Sequence, residues 1–188
     1  MAELVVTENV TLDGVMQAPG GAQEDTRGGF DAGGWATPYS DEVAMAEARK
    51  GMSTSAALLL GRRTYEHFYG YWPKQTDGNP FTDALNKAQK YVVSTTMTSA
   101  PWQNSTIMPN LDGIAELKAS LDGDLVVLGS GELVRSLGAL VDRVVLSIHP
   151  LVLGKGRRLE LPAGELRLAS SVPTGTGVII ATYVRTTS

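Results

Sequence analysis

The chain lacks cysteine and any long apolar run, and each absence removes a class of function. Without cysteine there is no disulfide framework, no thiolate nucleophile and no cysteine-ligated zinc. No apolar stretch approaches the roughly 20 residues that span a membrane, and the first residues have neither a basic leader nor a sustained apolar segment. We therefore expect a cytoplasmic protein without a membrane partner.

The chain also lacks a concentrated basic segment. Its formal charge is −4, and no block of Lys and Arg supplies the face that phosphate backbones require, which argues against a nucleic-acid partner. The 188 residues are 43% hydrophobic, which fits a domain large enough to bury a real core. We predict a single domain over residues 1–188 that acts on a small molecule.

Two glycine turns are the most informative features present. Residues 58–66 read Leu-Leu-Leu-Gly-Arg-Arg-Thr-Tyr-Glu, and residues 126–133 read Val-Val-Leu-Gly-Ser-Gly-Glu-Leu. Each pattern predicts a buried strand that runs through glycine into a helix. Glycine lets the main chain approach a ligand closely, and the first turn of a helix offers unpaired N–H groups to an anion. Two such turns predict one ligand with several phosphates.

Side chains beside these turns point to a particular dinucleotide. Arg62 and Arg63 supply cationic donors, and Thr64, Ser94 and Thr95 supply hydroxyls. This set suits a pyrophosphate and an additional ribose phosphate, so it favours NADPH over NADH. In the alternative interpretation, the glycines only end strands and both arginines are solvated surface charges.

The order of the predicted elements indicates an α/β fold. Strands alternate with helices along most of the chain, and alternating segments over residues 165–170 and 178–184 predict an antiparallel hairpin. We expect a central, mostly parallel sheet with helices on both faces. A helix is predicted to begin near Pro38 with Thr37 or Ser40 as N-cap, and the helix after the second glycine turn is predicted to carry residues 133–141.

Several common motifs are incomplete or missing. Gly129-Ser130-Gly131 lacks the last glycine of the Rossmann fingerprint, and Gly154-Lys155 lacks the rest of a phosphate-binding loop. There is no G-x-S-x-G sequence, and the two histidines have no metal-binding spacing. These patterns argue against a Rossmann dehydrogenase, a kinase or a hydrolase, and predict no metal site.

Five segments in one order resemble the dihydrofolate reductase-like superfamily, over nearly the whole chain. The closest branch is the reductase domain of the bifunctional riboflavin-biosynthesis deaminase-reductase, without its deaminase half, because the zinc motif of deaminases is absent. The segments are Asp13 to Gln17, Gly61 to Glu66, Val93 to Thr96, Leu128 to Leu133 and Pro150 to Arg157.

The resemblance implies a three-layer sandwich around a mixed sheet of about eight strands, and bound NADPH. Val10 and Gly14 would lie near the nicotinamide, whereas Ser94 and Thr95 would lie near the adenosine ribose phosphate. The residues that would surround the phosphates and the nicotinamide side are Gly61, Arg62, Arg63, Thr64, Leu128, Gly129, Ser130, Gly131, Glu132 and Leu133.

The implied reaction is hydride transfer to a small heterocyclic or carbonyl substrate, with 5-amino-6-(5-phosphoribosylamino)uracil as the family's leading candidate. Asp13 is a candidate catalytic residue, although Asp-Gly is also a turn signal. Gln17, Trp35 and Tyr39 are candidate substrate ligands, since aromatic rings and an amide suit a flat heterocycle. For Trp35, simple packing is the alternative.

Two other functions remain open at this point. The chain is compatible with a nucleotide-binding or regulatory protein that performs no turnover, and with a dihydrofolate reductase whose proton donor has moved. The segment that carries the acid in true dihydrofolate reductases reads Val43 to Ala46 here, with Asp41, Glu42 and Glu47 only nearby. Related reductase domains often pair, so we also expect a homodimer.

Overall fold

A computed structural model describes residues 2–186 and shows one eight-stranded mixed sheet. Its strand order is β4-β3-β2-β5-β1-β6-β8-β7. The strands are β1 (Leu4–Thr11), β2 (Ser55–Gly61), β3 (Gln89–Val93), β4 (Ser105–Met108), β5 (Asp124–Leu128), β6 (Arg143–His149), β7 (Leu166–Pro173) and β8 (Ile179–Arg185). Strands β1 to β6 pair in parallel, and β7 and β8 form the antiparallel hairpin.

Helices cover both faces of this sheet, so the predicted three-layer fold is confirmed. They are α1 (Glu42–Thr54), α2 (Arg62–Tyr71), α3 (Pro80–Lys87), α4 (Ile114–Ser120) and α5 (Gly131–Leu137). None of them is long and apolar enough to cross a membrane, as judged over the described part of the chain.

Alternate residues of each strand enter two separate cores. Leu4 and Val6 of β1 pack in the core beneath α4 and α5. Val5 packs in the core beneath α2 and α3, into which Met52 of α1 also reaches. We call this second side the α1 face; Thr7 and Asn9 of β1 share it because side chains alternate along a strand.

The carboxyl ends of six parallel strands meet at one edge of the sheet. There β1 runs beyond β5: the two strands pair only as far as Thr7 and Leu128, whereas β1 and β6 pair up to Thr11 and His149. The last residues of β1 therefore border a gap on the β5 side. In open α/β sheets, ligands bind at such an edge.

Two predicted helix boundaries were wrong. Helix α1 begins at Glu42 because the Asp41 carboxylate accepts a hydrogen bond from Ala44 N–H at 2.8 Å, and Pro38 lies in a separate short 3₁₀ turn. Helix α5 ends at Leu137 because Gly138 has a φ of 56° and begins a 3₁₀ turn. The sequence pattern also missed β4, a short edge strand.

Candidate functional site

The two glycine turns lie against each other. Gly61 N–H donates to the Ser130 hydroxyl at 2.9 Å, and that hydroxyl donates to Thr64 Oγ1 at 2.7 Å. A Cβ added to Gly61 would lie only 3.1 Å from Ser130 Oγ, so the approach depends on the absence of a side chain. The ends of β2 and β5 thus form one structural unit.

The second turn has an unusual main-chain conformation. Gly129 and Ser130 both have positive φ, at 64° and 69°, and a serine in the left-handed region is uncommon. Such outliers cluster at ligand sites, where the surrounding structure enforces them. A Cβ on Gly131 would collide with the sulfur of Met16, so the loop after β1 also closes on this turn.

The first turn of α2 is open to an anion. Gly61 is the N-cap of this ten-residue helix, and no side chain caps its first N–H groups. A helix start with unpaired N–H groups and the positive end of the dipole attracts phosphate. Helix α5 also begins without a side-chain cap, directly after Ser130.

Arg62 faces a cavity on the β3 side of α2. The cavity has a volume of about 390 Å³, and Arg62 also contacts Glu66 one helical turn away at 3.2 Å. The lining includes the hydroxyls of Thr96, Thr98 and Ser99, which are not among the cofactor ligands predicted from the sequence. The lining residues are Arg62, Tyr65, Glu66, Tyr69, Thr96, Met97, Thr98, Ser99 and Pro101.

Arg63 points to the opposite side of the helix start, towards Glu132. One carboxylate oxygen of Glu132, Oε1, lies 3.4 Å from Arg63, 2.8 Å from Arg157 and 3.8 Å from Arg27. These three arginines come from α2, the segment after β6 and the long loop after β1. Three guanidinium groups thus surround one exposed carboxylate and leave a net positive charge at this edge.

Ser94 and Thr95, both predicted to lie near the ribose phosphate, have different environments in the structure. Ser94 is buried, and its hydroxyl accepts hydrogen bonds from Thr96 N–H at 3.2 Å and Met97 N–H at 3.0 Å. Its side chain therefore holds the turn that carries Thr96 to the cavity. Thr95 itself is exposed.

Asp13 holds two loops together. Its carboxylate accepts hydrogen bonds from the Thr11 hydroxyl at 2.6 Å, Leu153 N–H at 3.2 Å and Gly154 N–H at 2.9 Å. These bonds, that from Thr11 above all, lower the pKa of Asp13 to about 2. An ionised carboxylate is no proton donor at neutral pH, so the geometry favours the turn interpretation over the predicted catalytic role.

The other two residues predicted at the end of β1 also take part in main-chain structure. Val10 is buried and pairs with Ile148 of β6. Gly14 has a φ of 79°, donates its N–H to the Thr11 carbonyl and accepts a hydrogen bond from Leu159 N–H. Their place beside the gap next to β5 agrees with a position near a ligand, which stays a prediction.

Gln17 and Trp35 organise the long loop, and Gln17 also lines a second cavity of about 240 Å³ together with Arg27 and Arg157. The buried Gln17 amide donates to the carbonyls of Asp25 and Arg27 and accepts from Arg157 N–H. Trp35 is buried as well, and its indole N–H donates to the Gln17 carbonyl at 2.7 Å. The structure thus favours the packing alternative for Trp35.

Tyr39 is only half-buried and lies against His149 at the carboxyl end of β6. Its ring and that of Trp35 both meet His149 edge-on, with centroid distances of 5.6 and 5.1 Å. Burial lowers the pKa of His149, so this imidazole is neutral at pH 7. The sequence pattern had not placed His149 near the site; it ends β6 in register with Thr11.

Glu8 is a buried carboxyl group on the opposite face from Asn9. Its Oε1 has no hydrogen-bond partner, and burial, with a smaller contribution from Glu24, raises its pKa to about 8. Glu8 is therefore protonated at neutral pH. Among the described residues, no group of three His, Asp or Glu side chains could hold a metal ion.

Comparison with known proteins agrees with this architecture. The family model described as RibD C-terminal domain matches residues 2–180. An uncharacterized protein of Bacillus subtilis strain 168, YyaP, is 29% identical over 136 residues, which cover 67% of this chain and 72% of that protein.

Three solved structures share the fold. A structure described as a riboflavin biosynthesis protein from Shewanella sp. PV-4 has a TM-score of 0.70 and 21% identity, with 100% of both chains covered. Dihydrofolate reductase from Enterococcus faecalis, in complex with NADP(H) and RAB-propyl, has a TM-score of 0.67 and 14% identity, with 98% of this chain and 97% of that chain covered. A pyrimidine reductase-like protein from Corynebacterium diphtheriae has a TM-score of 0.65 and 13% identity, with 100% and 93% covered.

Proposed function

The chain belongs to the RibD C-terminal domain family, and from this premise we propose that it is an NADPH-dependent reductase of a small heterocyclic or carbonyl compound. The observation that carries the proposal is the contact between the two glycine turns through Ser130. It brings an open helix start, a left-handed main-chain turn and several arginines to one edge of the sheet. That edge suits a ligand with several phosphates.

The residues present fit a dinucleotide in two parts. N–H groups of the first turn of α2, with Arg63 beside them, would hold the pyrophosphate. Arg62 and the hydroxyls of Thr96 and Ser99 in the 390 Å³ cavity would hold the additional ribose phosphate. Bound NADPH supplies a hydride, and the protein's part is to orient cofactor and substrate and to exclude water.

We propose the ribosylaminopyrimidine of riboflavin biosynthesis, 5-amino-6-(5-phosphoribosylamino)uracil, as the leading substrate. The family supports this choice, as do two structural neighbours, one described as a riboflavin biosynthesis protein and the other as a pyrimidine reductase-like protein. The half-buried Tyr39 ring beside His149, at the carboxyl end of β6, would suit a flat heterocycle.

A specific observation favours one alternative, a nucleotide-binding protein without turnover. The candidate proton donor Asp13 is ionised and engaged in three hydrogen bonds, so it offers no proton to a product. Such a protein would bind NADPH and leave it unoxidised with every substrate offered.

The deciding experiment combines a binding titration with a turnover assay. NADPH and NADH are titrated against the protein by fluorescence, and loss of NADPH absorbance is then followed with the pyrimidine, with dihydrofolate and with a panel of small carbonyl compounds. NADPH binding with oxidation by one compound supports the reductase. Binding without oxidation supports the alternative, and no binding of either cofactor rejects both. Cytoplasmic location and a homodimer stay predictions, the latter checked by analytical ultracentrifugation.

A further inference from the structure

A polar strip crosses the α1 face of the sheet near its carboxyl edge. Asn9 of β1 lies in register with Ser147 of β6, and Thr7, two residues before Asn9, lies in register with Val145. Thr7, Asn9 and Ser147 therefore share one face of two adjacent parallel strands. Parallel strands covered on both faces normally carry apolar side chains, so three polar ones together need an explanation.

Asn9 is exposed at the centre of the sheet. The strands β1, β2, β3, β5 and β6, all within the described residues, are interior and parallel, and Asn9 is the one exposed residue among them. Asparagine is also depleted in strands because its amide competes with the main chain for hydrogen bonds. Because Asn9 is exposed although its strand is central, none of the residues 2–186 covers this position.

None of the three side chains is used inside the protein. Over residues 2–186, the amide of Asn9 and the hydroxyls of Thr7 and Ser147 make no side-chain hydrogen bond, and none of their polar atoms is buried without a partner. Their hydrogen-bonding groups consequently face open space. The Gln17 amide, by contrast, makes three hydrogen bonds to the main chain of the long loop and of Arg157.

Helix α1 spans this face without closing it. Its N-terminal end is tied to the turn between β7 and β8, where Asp41 accepts a hydrogen bond from Thr176 N–H at 3.3 Å, and its C-terminal end leads into β2. The helix therefore passes over β6, β1 and β5, yet none of its 13 residues is buried. Since no residue of the helix is buried and Asn9 beneath it is exposed, the sheet stays open to solvent at this position, and Asn9 forms part of the floor of that open space.

We propose that the carboxamide of Asn9 orients the substrate by pairing with an amide-like edge, a ring N–H beside a carbonyl. The inference rests on the proposed reductase function and adds a specificity-determining residue to it. An asparagine side chain offers both a carbonyl acceptor and N–H donors, so it forms two parallel hydrogen bonds with such an edge. Ser147 and Thr7 extend the polar floor on either side.

The chemistry predicts discrimination between closely related ligands. A bound ring that lacks its N–H covers the Asn9 carbonyl without giving it a partner, and an unsatisfied polar group costs about 1–3 kcal/mol, or about 5–150-fold in affinity. Methylation of the ring nitrogens should therefore abolish the pairing while keeping the flat ring.

The test uses the whole protein saturated with NADP⁺, so that no turnover occurs. The probes are 5,6-diaminouracil and its 1,3-dimethyl derivative, with affinities measured by calorimetry for wild type, Asn9→Ala and Asn9→Leu. Ser170→Ala is the matched control, because Ser170 is an exposed polar residue of β7 on the same face, two strands beyond β6. Melting curves establish that each variant is folded, and NADP⁺ affinity is measured separately.

The expected result is that wild type and Ser170→Ala bind diaminouracil at least about tenfold more tightly than the dimethyl derivative, and that both Asn9 variants lose this preference. Folded Asn9 variants that keep it would overturn the proposal. Failure of wild type to bind diaminouracil while NADP⁺ is bound would also overturn it, without touching the reductase function. Failure to bind the cofactor would count against the proposed function instead.

Discussion

Gly61 N–H donates a hydrogen bond to the Ser130 hydroxyl over 2.9 Å, although 69 residues separate the two in the chain. The strands β2 and β5 are neighbours in the sheet, and because the same hydroxyl donates to Thr64 Oγ1, the Ser130 side chain links the two turns beyond the ends of these strands. The structure thus brings the two glycine turns into one site, as a shared ligand requires.

Removal of the Ser130 hydroxyl should weaken that site. In Ser130→Ala, the partly buried Gly61 N–H loses its acceptor, so we expect the free energy of unfolding to fall by about 1–2 kcal/mol and NADPH affinity to fall about tenfold. Ser130→Gly is the matched control, since glycine adopts the φ of 69° without strain and should lose less stability but as much affinity. Wild-type affinity in both variants would contradict this role.

Arg62 and Arg63 should have different effects on cofactor choice. Arg62 faces the cavity assigned to the ribose phosphate, so Arg62→Ala should weaken NADPH binding about 10–100-fold and NADH binding about threefold at most. Arg63 faces Glu132, so Arg63→Ala should weaken both cofactors equally. Fluorescence titration of each variant with each cofactor gives the comparison. Equal losses in Arg62→Ala would refute the assignment.

Glu132 contacts three arginines and, on the proposed function, would compete with the phosphates of the cofactor for them. Glu132→Gln should raise NADPH affinity about 3–10-fold at low salt, because a carboxylate a few ångströms from a phosphate is repulsive, and the gain should disappear near 0.5 M salt. Stability should change by less than about 1 kcal/mol, since these ion pairs are exposed. Glu116→Gln makes the same charge change on α4 and should leave affinity unaltered. A loss of affinity in Glu132→Gln would reverse the interpretation.

Burial of Glu8 makes stability depend on pH in a particular direction. Its folded pKa of about 8 lies above the ordinary 4.5, so the folded state holds the proton more tightly and loses stability as pH rises from about 4.5 to 8. Glu8→Gln keeps the neutral shape and removes this loss. Urea unfolding should show similar stability for both proteins near pH 5 and an advantage for the variant on the order of 3–5 kcal/mol near pH 9. Parallel pH profiles would show that Glu8 is ionised in the fold.

Asp13→Asn separates a structural role from a catalytic one. The carboxylate accepts three hydrogen bonds, and its pKa of about 2 lies below the ordinary 3.8, so its stabilising effect is full above pH 4 and is lost as pH falls towards 2. We expect the variant to melt at a lower temperature at pH 7 and to lose part of the wild-type acid sensitivity. Unchanged melting combined with lost turnover would restore the catalytic interpretation.

Much of this fold could be predicted because strands, turns and helix starts depend mainly on interactions between residues close together in the chain. A buried run that ends in glycine before a helical pattern is a short-range signal, and it identified the turns at Gly61 and Gly129. Asp41 was overlooked as the N-cap because Thr37 and Ser40 are equally good caps in sequence. In the structure the Asp41 carboxylate accepts hydrogen bonds from Ala44 N–H and from Thr176 N–H, and the second of these partners lies too far along the chain for a local pattern to indicate.

Residue roles that depend on distant contacts could not be predicted. Nothing near Asp13 reveals that its carboxylate binds Leu153 and Gly154, which lie 140 and 141 residues away. By contrast, the different directions of the Arg62 and Arg63 side chains follow from helix geometry, because successive residues of a helix are rotated by about 100°. Asn9 was also visible as a polar residue within a β-branched run, but only the sheet order shows that it lies at the centre.

The most direct test of a shared dinucleotide site is a titration with NADPH followed by two-dimensional ¹H–¹⁵N NMR. The account predicts that the main-chain amides of Gly61, Arg62, Ser130 and Gly131 shift together and saturate with one dissociation constant. Shifts confined to one turn, different constants for the two turns, or no shift at either would contradict it.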